Sequence, residues 1–323
     1  MLREERPINF RSLKFGIEIE LTGIDRENFV RQCCVALNDK ECNDPCSYTN
    51  LLLGHPRWRY DPNPSGYYRT IRLFSPYNRE YNFMNDGSIR ERNGYPGTEI
   101  VTPVLTLPDF WQVEVILAVA RRLNARADKS CAVHIHCDSS RHSVASISRL
   151  INFWHYNEDF LMGVLNVQEA RRSQWARRMQ DWKPIENRKL KPKTKADLAQ
   201  VWIGARRFRP SRYDTNRYHA LNLNNLWRSI ETIECRAFNA SLNATKVRAY
   251  LLLWLGINAK CINSSNMAPV TRAKINKPLT RLSVLLTEGL GLKGTEFKAE
   301  RKVLTNRLRD YLARVPFPTF QSR

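Results

Sequence analysis

Pairs of ionisable residues, two positions apart, recur in segments of this chain that otherwise alternate between apolar and polar residues. The pairs are Glu18 with Glu20 in FGIEIEL, His134 with His136 in CAVHIHCD, and Glu234 with Arg236 in IETIECRAF. Successive side chains of a β-strand point to opposite faces, so each pair would share one face and its apolar neighbours the other. The spacing predicts strands with apolar side chains on one face and ionisable side chains on the other.

Two further segments have the same character. TEIVTP places Glu99 on one strand face, and YHALNLN places Asn222 opposite Leu221 and Leu223. If the five strands share a sheet, their polar faces can form one concave surface. Carboxylate oxygens are the ligands that Mg²⁺ or Mn²⁺ prefers, and an arginine can grip a phosphate with two hydrogen bonds. The combination indicates metal-assisted chemistry on a phosphate.

Each motif alone also has a simpler explanation. Glu-x-Glu is typical of a solvated strand face, and His-x-His of surface or hydrogen-bonded histidines. Glu-x-Arg fits a surface ion pair worth under about 1 kcal/mol, and one asparagine can satisfy a backbone group. The joint occurrence favours a site, because clustered carboxylates repel one another unless a cation holds them together.

Taken in order, FGIEIEL, NDGSI, EIVTPVL, CAVHIHCD, YHALNLN and TIECRAF resemble the motifs of the amidoligases of the glutamine synthetase and glutamate–cysteine ligase superfamily. The resemblance covers roughly residues 14–260. It implies ATP-dependent activation of a carboxylate as an acyl phosphate, then attack by an amine to give an amide. The cofactors it implies are ATP and Mg²⁺ or Mn²⁺. The carboxylate could be a small molecule or linked to a polymer.

The resemblance also implies roles for single residues. The metal ligands would be Glu18, Glu20, Glu99, His134 and Glu234. Nucleotide or substrate would meet His136 and Arg236, with Arg236 on the transferred phosphate, while Asn222 and Asp86 would line the site. The catalytic set is therefore Glu18, Glu20, Glu99, His136, Glu234 and Arg236. One departure is Ala132, where the family often has a glycine that allows close backbone approach.

The elements that must position these residues follow from periodicity. Strands are predicted at 14–22, 67–74, 80–90 (with an Asp86-Gly87 turn), 98–105, 130–138, 217–224 and 229–238. Helices are predicted at 25–37, 107–126, 143–164 and 244–261, with two basic helices within 278–313. Residues 42–66 are predicted as a long loop or an irregular hairpin. The order of elements favours an α+β fold with a mainly antiparallel sheet, its concave polar face backed by helices, as in a glutamine synthetase catalytic domain. A doubly wound parallel sheet is the alternative.

We expect a catalytic domain over residues 1–265 and a basic helical extension over 266–323. Within the catalytic domain, residues 169–217 form a basic insertion with fifteen basic and five acidic residues. Its aromatic residues include Trp175, Trp182, Trp202, Phe208 and Tyr213. The whole chain of 323 residues carries 52 Lys and Arg against 31 Asp and Glu, a net charge of +21.

The charge keeps two other functions open. A nucleic-acid-binding protein, or a ligase that acts on a nucleic acid, could use the basic insertion, where Arg206, Arg207 and Arg209 would hold a polyanion. A divalent-metal hydrolase would use the same acids and histidines without nucleotide. The segment GLGLKG at 289–294 lacks the spacing of a phosphate-binding loop. Oligomeric state is not readable from the sequence.

The eight cysteines are interpreted as free thiols. Cys42 and Cys46 are too loosely spaced to favour zinc. A nucleophile at Cys131 or Cys137 beside His136 is disfavoured, because alternate strand residues face apart. The charged N-terminus lacks the apolar core of a signal peptide, and the apolar run 249–259 is about half of the roughly 20 residues of a membrane span. We therefore expect a cytoplasmic protein with no membrane partner.

Overall fold

The computed structural model describes residues 7–42, 57–179, 192–203, 214–264 and 277–315. In chain order the strands are β1 Phe15–Leu21, β2 Arg59–Ser65, β3 Thr70–Phe74, β4 Glu80–Asn85, β5 Thr98–Val101, β6 Ala132–Asp138, β7 Leu221–Asn222 and β8 Thr232–Asn239. The α-helices are α1 Arg26–Cys42, α2 Phe110–Arg122, α3 Val144–Val164, α4 Glu169–Gln174, α5 Lys195–Ile203, α6 Ala244–Asn263, α7 Pro278–Val284 and α8 Lys298–Leu312. The predicted mixture of helix and sheet is confirmed.

The N-terminal unit comprises Lys14–His134 and Ala240–Val247. Its strands follow the order β2-β3-β4-β5-β1, and the first residues of β6 come next to β1. The pairings of β1 with β5, β5 with β4, β4 with β3 and β3 with β2 are all antiparallel. Helices α1 and α2 pack together, and Phe29 of α1 meets Phe83 of β4 edge to face, with ring centroids 5.4 Å apart.

The alternation in β1 determines which residues face the core. Phe15, Ile17 and Ile19 are each 1% exposed, so the apolar face is buried as predicted. The chain then turns at Gly23, whose φ of +84° is in the left-handed region that glycine enters without strain. Asp25 accepts a hydrogen bond from the N–H of Asn28 and so caps α1, also as predicted.

The C-terminal unit comprises Met1–Leu13, Ile135–Asn239 and Arg248–Arg323. Here the remaining residues of β6 lie next to β8, and β8 pairs with β7 in antiparallel fashion. Helix α3 packs against α8, and Trp154 of α3 meets Trp254 of α6 at a centroid distance of 6.0 Å. Phe238 of β8 stacks on Tyr250 of α6 at 4.8 Å.

Within the segment 42–66, predicted as a long loop or an irregular hairpin, Arg59–Ser65 forms β2, which pairs with β3 in antiparallel fashion. This strand contains Pro62 and Pro64, stands at the end of the strand order, and has a register shift between Asp61 and Ser65. Proline cannot donate to a strand ladder, but an edge strand with a bulge tolerates it. Residues 43–56, including Cys46, lie outside the described ranges.

The predicted strand at 217–224 is mostly wrong. Only Leu221 and Asn222 form a strand, between 3₁₀ helices at Thr215–Tyr218 and Asn224–Trp227. The side-chain oxygen of Asn222 accepts the N–H of Asn224 at 3.0 Å. Such local side chain-to-backbone bonds compete with a strand ladder and turn the chain. The strands predicted at 67–74, 80–90 and 98–105 are present but shorter.

Other expectations concern single segments. Helix α6 matches its prediction, and no helix in the described ranges is long and apolar enough to cross a membrane. Cys33, Cys34, Cys131, Cys137, Cys235 and Cys261 are free and buried. The domain boundary predicted after residue 265 falls outside the described residues and stays a prediction.

Candidate functional site

Strands β1, β5 and β6 bring four predicted metal ligands together in the N-terminal unit. We call Glu18, Glu20, Glu99 and His134 the carboxylate–histidine cluster. Glu20 of β1 is the direct register partner of Glu99 of β5. Residues directly opposite on antiparallel strands have Cβ atoms about 4.5–5.5 Å apart, and like charges there repel. The fold therefore forces two carboxylates against each other.

His134 joins the carboxylates through both ring nitrogens. Its Nδ1 lies 2.9 Å from Oε2 of Glu18, and its Nε2 lies 3.8 Å from Oε1 of Glu20. The imidazole is 4% exposed and the Glu20 side chain 8%, while the Glu18 side chain is 24% exposed. The cluster is thus largely removed from water but open on the side of Glu18.

The donor atoms fit a divalent cation. One ligand atom each from Glu20, Glu99 and His134 lie within 4.8 Å of one another. Two carboxylate oxygens and one imidazole nitrogen can bind Mg²⁺ or Mn²⁺. They suit Mn²⁺ somewhat better, because Mn²⁺ accepts a nitrogen ligand more readily. The residues present therefore fit the metal implied by the sequence.

The C-terminal unit brings three other predicted residues together, and we call Asn222, Glu234 and Arg236 the buried triad. Asn222 donates from Nδ2 to one carboxylate oxygen of Glu234 at 2.6 Å. Arg236 donates from Nη1 to the other oxygen at 2.5 Å. The three residues are 3–8% exposed. Arg236 also donates from Nε to the carbonyl of Trp175 at 3.4 Å, so its guanidinium is held on two sides.

His136 of β6 contacts β8, the strand that carries Glu234 and Arg236. Its Nδ1 is 3.0 Å from the hydroxyl of Thr232, and Thr232 shares a face of β8 with Glu234 and Arg236 because all three alternate along the strand. The sequence reasoning missed Thr232. The signal available was its position two residues before Glu234 on the polar face.

Asp86 is placed in the turn that follows β4. Its Oδ1 accepts the N–H of Ser88 at 2.7 Å, and its carbonyl accepts the N–H of Ile89. Gly97 closes this turn: a Cβ added there would lie 2.2 Å from Cβ of Ile89. The described contacts give Asp86 a structural role, and its place in the site stays a prediction.

The buried thiols are poor nucleophiles. Burial raises the pKa of Cys131 to about 12 and also raises the pKa of Cys137. Attack requires the thiolate, and a thiol with so high a pKa is almost wholly protonated near neutral pH. This supports the view that the cysteines beside the His-x-His motif are structural.

The basic insertion is described only in part. Trp202 is fully buried and donates to the side chain of Asn224 at 2.6 Å, and Trp175 packs on Tyr218 at 5.3 Å. These two rings serve packing. Trp182, Arg206, Arg207, Phe208, Arg209 and Tyr213 lie outside the described residues, so a polyanion site there stays a prediction.

The chain was compared with models of known protein families. The model described as "putative amidoligase enzyme" matches residues 11–258, which include every predicted site residue. No curated protein matches the chain closely enough to count as a relative.

Proposed function

The chain belongs to the amidoligase family, and from that premise we propose an ATP- and Mg²⁺-dependent ligase that joins a carboxylate to an amine. In the proposed reaction a carboxylate oxygen attacks the γ-phosphorus of ATP and ADP leaves. The amine nitrogen then attacks the acyl carbon, loses a proton, and inorganic phosphate leaves. An amide bond results.

The observation that carries the proposal is the carboxylate–histidine cluster. Its acids repel one another across β1 and β5, so ionised Glu20 and Glu99 are stabilised together by a cation between them. Glu20, Glu99 and His134 would hold that cation. When bound, it would neutralise negative charge that grows on the nucleotide phosphates during phosphoryl transfer.

Glu18 would orient His134 rather than only share the ligand set. A carboxylate on Nδ1 favours the tautomer that carries a proton there, which leaves the lone pair on Nε2 for a metal. Nε2 is the atom nearer to Glu20. On this basis Glu18→Gln should weaken metal binding by about 10–100-fold, and Glu20→Gln by more.

The buried triad would serve the same reaction through Arg236. Its hydrogen bonds to Glu234 and to the Trp175 carbonyl fix the guanidinium plane. A guanidinium that is already held in place loses little side-chain entropy when it binds a phosphate. Glu234 would position Arg236, in addition to the metal-binding role that the family motif implies. His136 would meet substrate or nucleotide.

Thermal unfolding with ATP, with Mg²⁺ and with both tests the proposal. A ligand at 100 times its Kd stabilises by about 2.7 kcal/mol, which raises Tm by several degrees, roughly 3–5 °C. We expect that rise only when both are present. It should disappear in Glu20→Gln and persist in Glu114→Gln, which removes an exposed carboxylate of α2 in the same unit.

An unchanged Tm of the wild type at millimolar ATP and Mg²⁺ would contradict the proposal. A shift with Mn²⁺ or Mg²⁺ that ATP does not enlarge would favour the divalent-metal hydrolase instead, because that chemistry needs the acids and His134 but no nucleotide.

The net charge of +21 favours a second candidate, a ligase whose substrate or partner is a nucleic acid. Phosphate contacts release counterions, so such binding weakens steeply with salt. Titration of labelled single-stranded DNA and RNA at 50 mM and 200 mM salt is the test. No binding at 50 mM would remove this candidate without affecting the first.

A further inference from the structure

A cleft of about 170 Å³ opens beside the first turn of α1 in the N-terminal unit. Its polar lining comprises Arg26 of α1, Arg69 of the turn before β3, Asn85 of β4 and Tyr95, together with the acids Asp25 and Glu27 at the start of α1. Ile24 and Ile71 contribute apolar surface. None of these residues belongs to the carboxylate–histidine cluster or to the buried triad.

The cleft lies on the helix-covered face of the sheet. Asn85 lies two residues after Phe83 on β4, so both point to the same face of the sheet, and the ring of Phe83 packs on Phe29 of α1. Met84, between them, points to the other face and is the register partner of Glu99. Adjacent strand residues face apart. The cleft and the carboxylate–histidine cluster are therefore on opposite faces, and one ligand pocket does not explain both.

Two guanidinium groups meet in this cleft. Burial lowers the pKa of Arg26, the positive charge of Arg69 lowers it further, and Asp25 opposes the shift. Arg26 donates from Nη1 to the side-chain oxygen of Asn85, but its buried Nε has no acceptor. Within the described part of the chain, neither arginine forms an ion pair with a carboxylate.

Two acids also line the cleft, but in the described part of the chain neither forms an ion pair with Arg26 or Arg69. Asp25 and Glu27 are exposed, and Asp25 uses a carboxylate oxygen to cap α1 through the N–H of Asn28 at 2.6 Å. Arg26 is half-buried and Arg69 is exposed, and bringing their like charges together at the cleft costs free energy. A bound anion would offset that cost, because charge-assisted bonds from guanidinium groups are strong and directional.

We infer that this cleft binds the phosphate group of a small ligand, at a site separate from the proposed catalytic cluster. Two guanidinium forks and the amide of Asn85 offer donors from several directions, which suits a tetrahedral dianion better than a planar carboxylate. The cleft volume admits a phosphate group but little more.

The source of the phosphate can be free phosphate or a nucleotide. Tyr95 lines the cleft and is 38% exposed, and the N–H of Asn85 donates to the carbonyl of Tyr68. Tyr68 is in edge contact with Tyr67, which is 93% exposed. Exposed rings beside a phosphate site are suited to stacking on a base.

Calorimetric titration with inorganic phosphate and with adenosine 5′-monophosphate is the test. EDTA and the Glu20→Gln background remove the metal-dependent site, so failure of the proposed function does not affect the result. We expect binding of both probes, and tighter binding of the nucleotide if the rings contribute. The double variant Arg26→Gln/Arg69→Asn should weaken binding by at least about tenfold.

The variants are chosen to keep the fold. Arg69 has φ of +47°, and asparagine enters that region more readily than most residues. The matched control is Arg57→Gln/Arg121→Gln, which removes two exposed arginines of the same unit. Absence of binding in the wild type, or equal loss in both double variants, would overturn the inference. Unchanged binding in Arg26→Gln/Arg69→Asn would also overturn it.

Discussion

The carboxylate–histidine cluster and the buried triad use the same residue types in opposite ways. The cluster sets three carboxylates around one imidazole, while the triad sets one carboxylate between a guanidinium and an amide. The members of the cluster sum to a negative charge and those of the triad to none. A balanced group is stable without a further ion, whereas an unbalanced one is suited to a cation that binds and dissociates.

The largest expected loss of stability comes from a substitution that removes the positive charge of the buried triad. Arg236→Met leaves Glu234 buried without its guanidinium, and breaking a buried ion pair typically costs about 3–5 kcal/mol. Urea unfolding at pH 7.5 measures the loss. Arg228→Met, an exposed arginine of the same unit, should stay within about 0.5 kcal/mol.

Adding Glu234→Gln to Arg236→Met should recover part of the stability, because the buried charge is then gone. If the single and double variants unfold at the same urea concentration, the interaction with Arg236 is not what stabilises Glu234.

A second expected effect is a loss of stability at acid pH, so the urea experiments on Arg236→Met belong at a pH above the range in which His142 titrates. His142 is hydrogen-bonded to Ser146 and Asn258, and burial lowers its pKa to about 4. The unfolded side chain takes up a proton near pH 6.5 and the folded one only near pH 4. Stability should therefore be full above pH 6.5 and fall as pH drops to 4, by about 3 kcal/mol.

Urea midpoints at pH 7, 6, 5 and 4 check this slope. His142→Gln cannot be protonated and should be less stable at pH 7 but lose less on acidification. A variant that keeps the wild-type slope would assign the acid sensitivity to the carboxylates instead.

The smallest effect has the opposite sign to the first. Glu20→Gln removes one of two facing acids, so the metal-free protein should gain roughly 0.5 kcal/mol. Under the proposed function the same variant should lose the stabilisation by ATP and Mg²⁺. Urea unfolding in EDTA measures the gain. A destabilisation as large as that of Arg236→Met would show that Glu20 is balanced like Glu234, and the contrast between the two regions would fail.

Much of the fold could be read from local patterns. The alternation of β1 and the apolar run of α6 are strong signals, because burial of one face or one stripe requires them. β2 was left open between a loop and an irregular hairpin, because its two prolines are typical of loops and only its place at the sheet edge makes them compatible with a strand. The strand predicted around Asn222 is short because the side chain of Asn222 accepts a hydrogen bond from the backbone N–H of Asn224, which turns the chain away from strand pairing.

Which residues share a strand face was also predictable, but the contacts between strands were not. Alternation places Glu18 with Glu20 on one face, and the family motifs name the residues. The contact of His134 with Glu18 joins residues 116 positions apart, and strand register over such separations is not encoded locally. The donation from Arg236 to the Trp175 carbonyl has no sequence signal at all, because any residue supplies a carbonyl.

The buried thiols offer a way to follow motion in the strands that contain the proposed site residues. Cys235 stands between Glu234 and Arg236, and Cys137 follows His136. Because both are buried, an alkylating reagent reaches them only in molecules whose strand has locally opened. Alkylation kinetics, measured by mass spectrometry for each cysteine, would therefore report how often β6 and β8 open, and whether added ATP slows that opening.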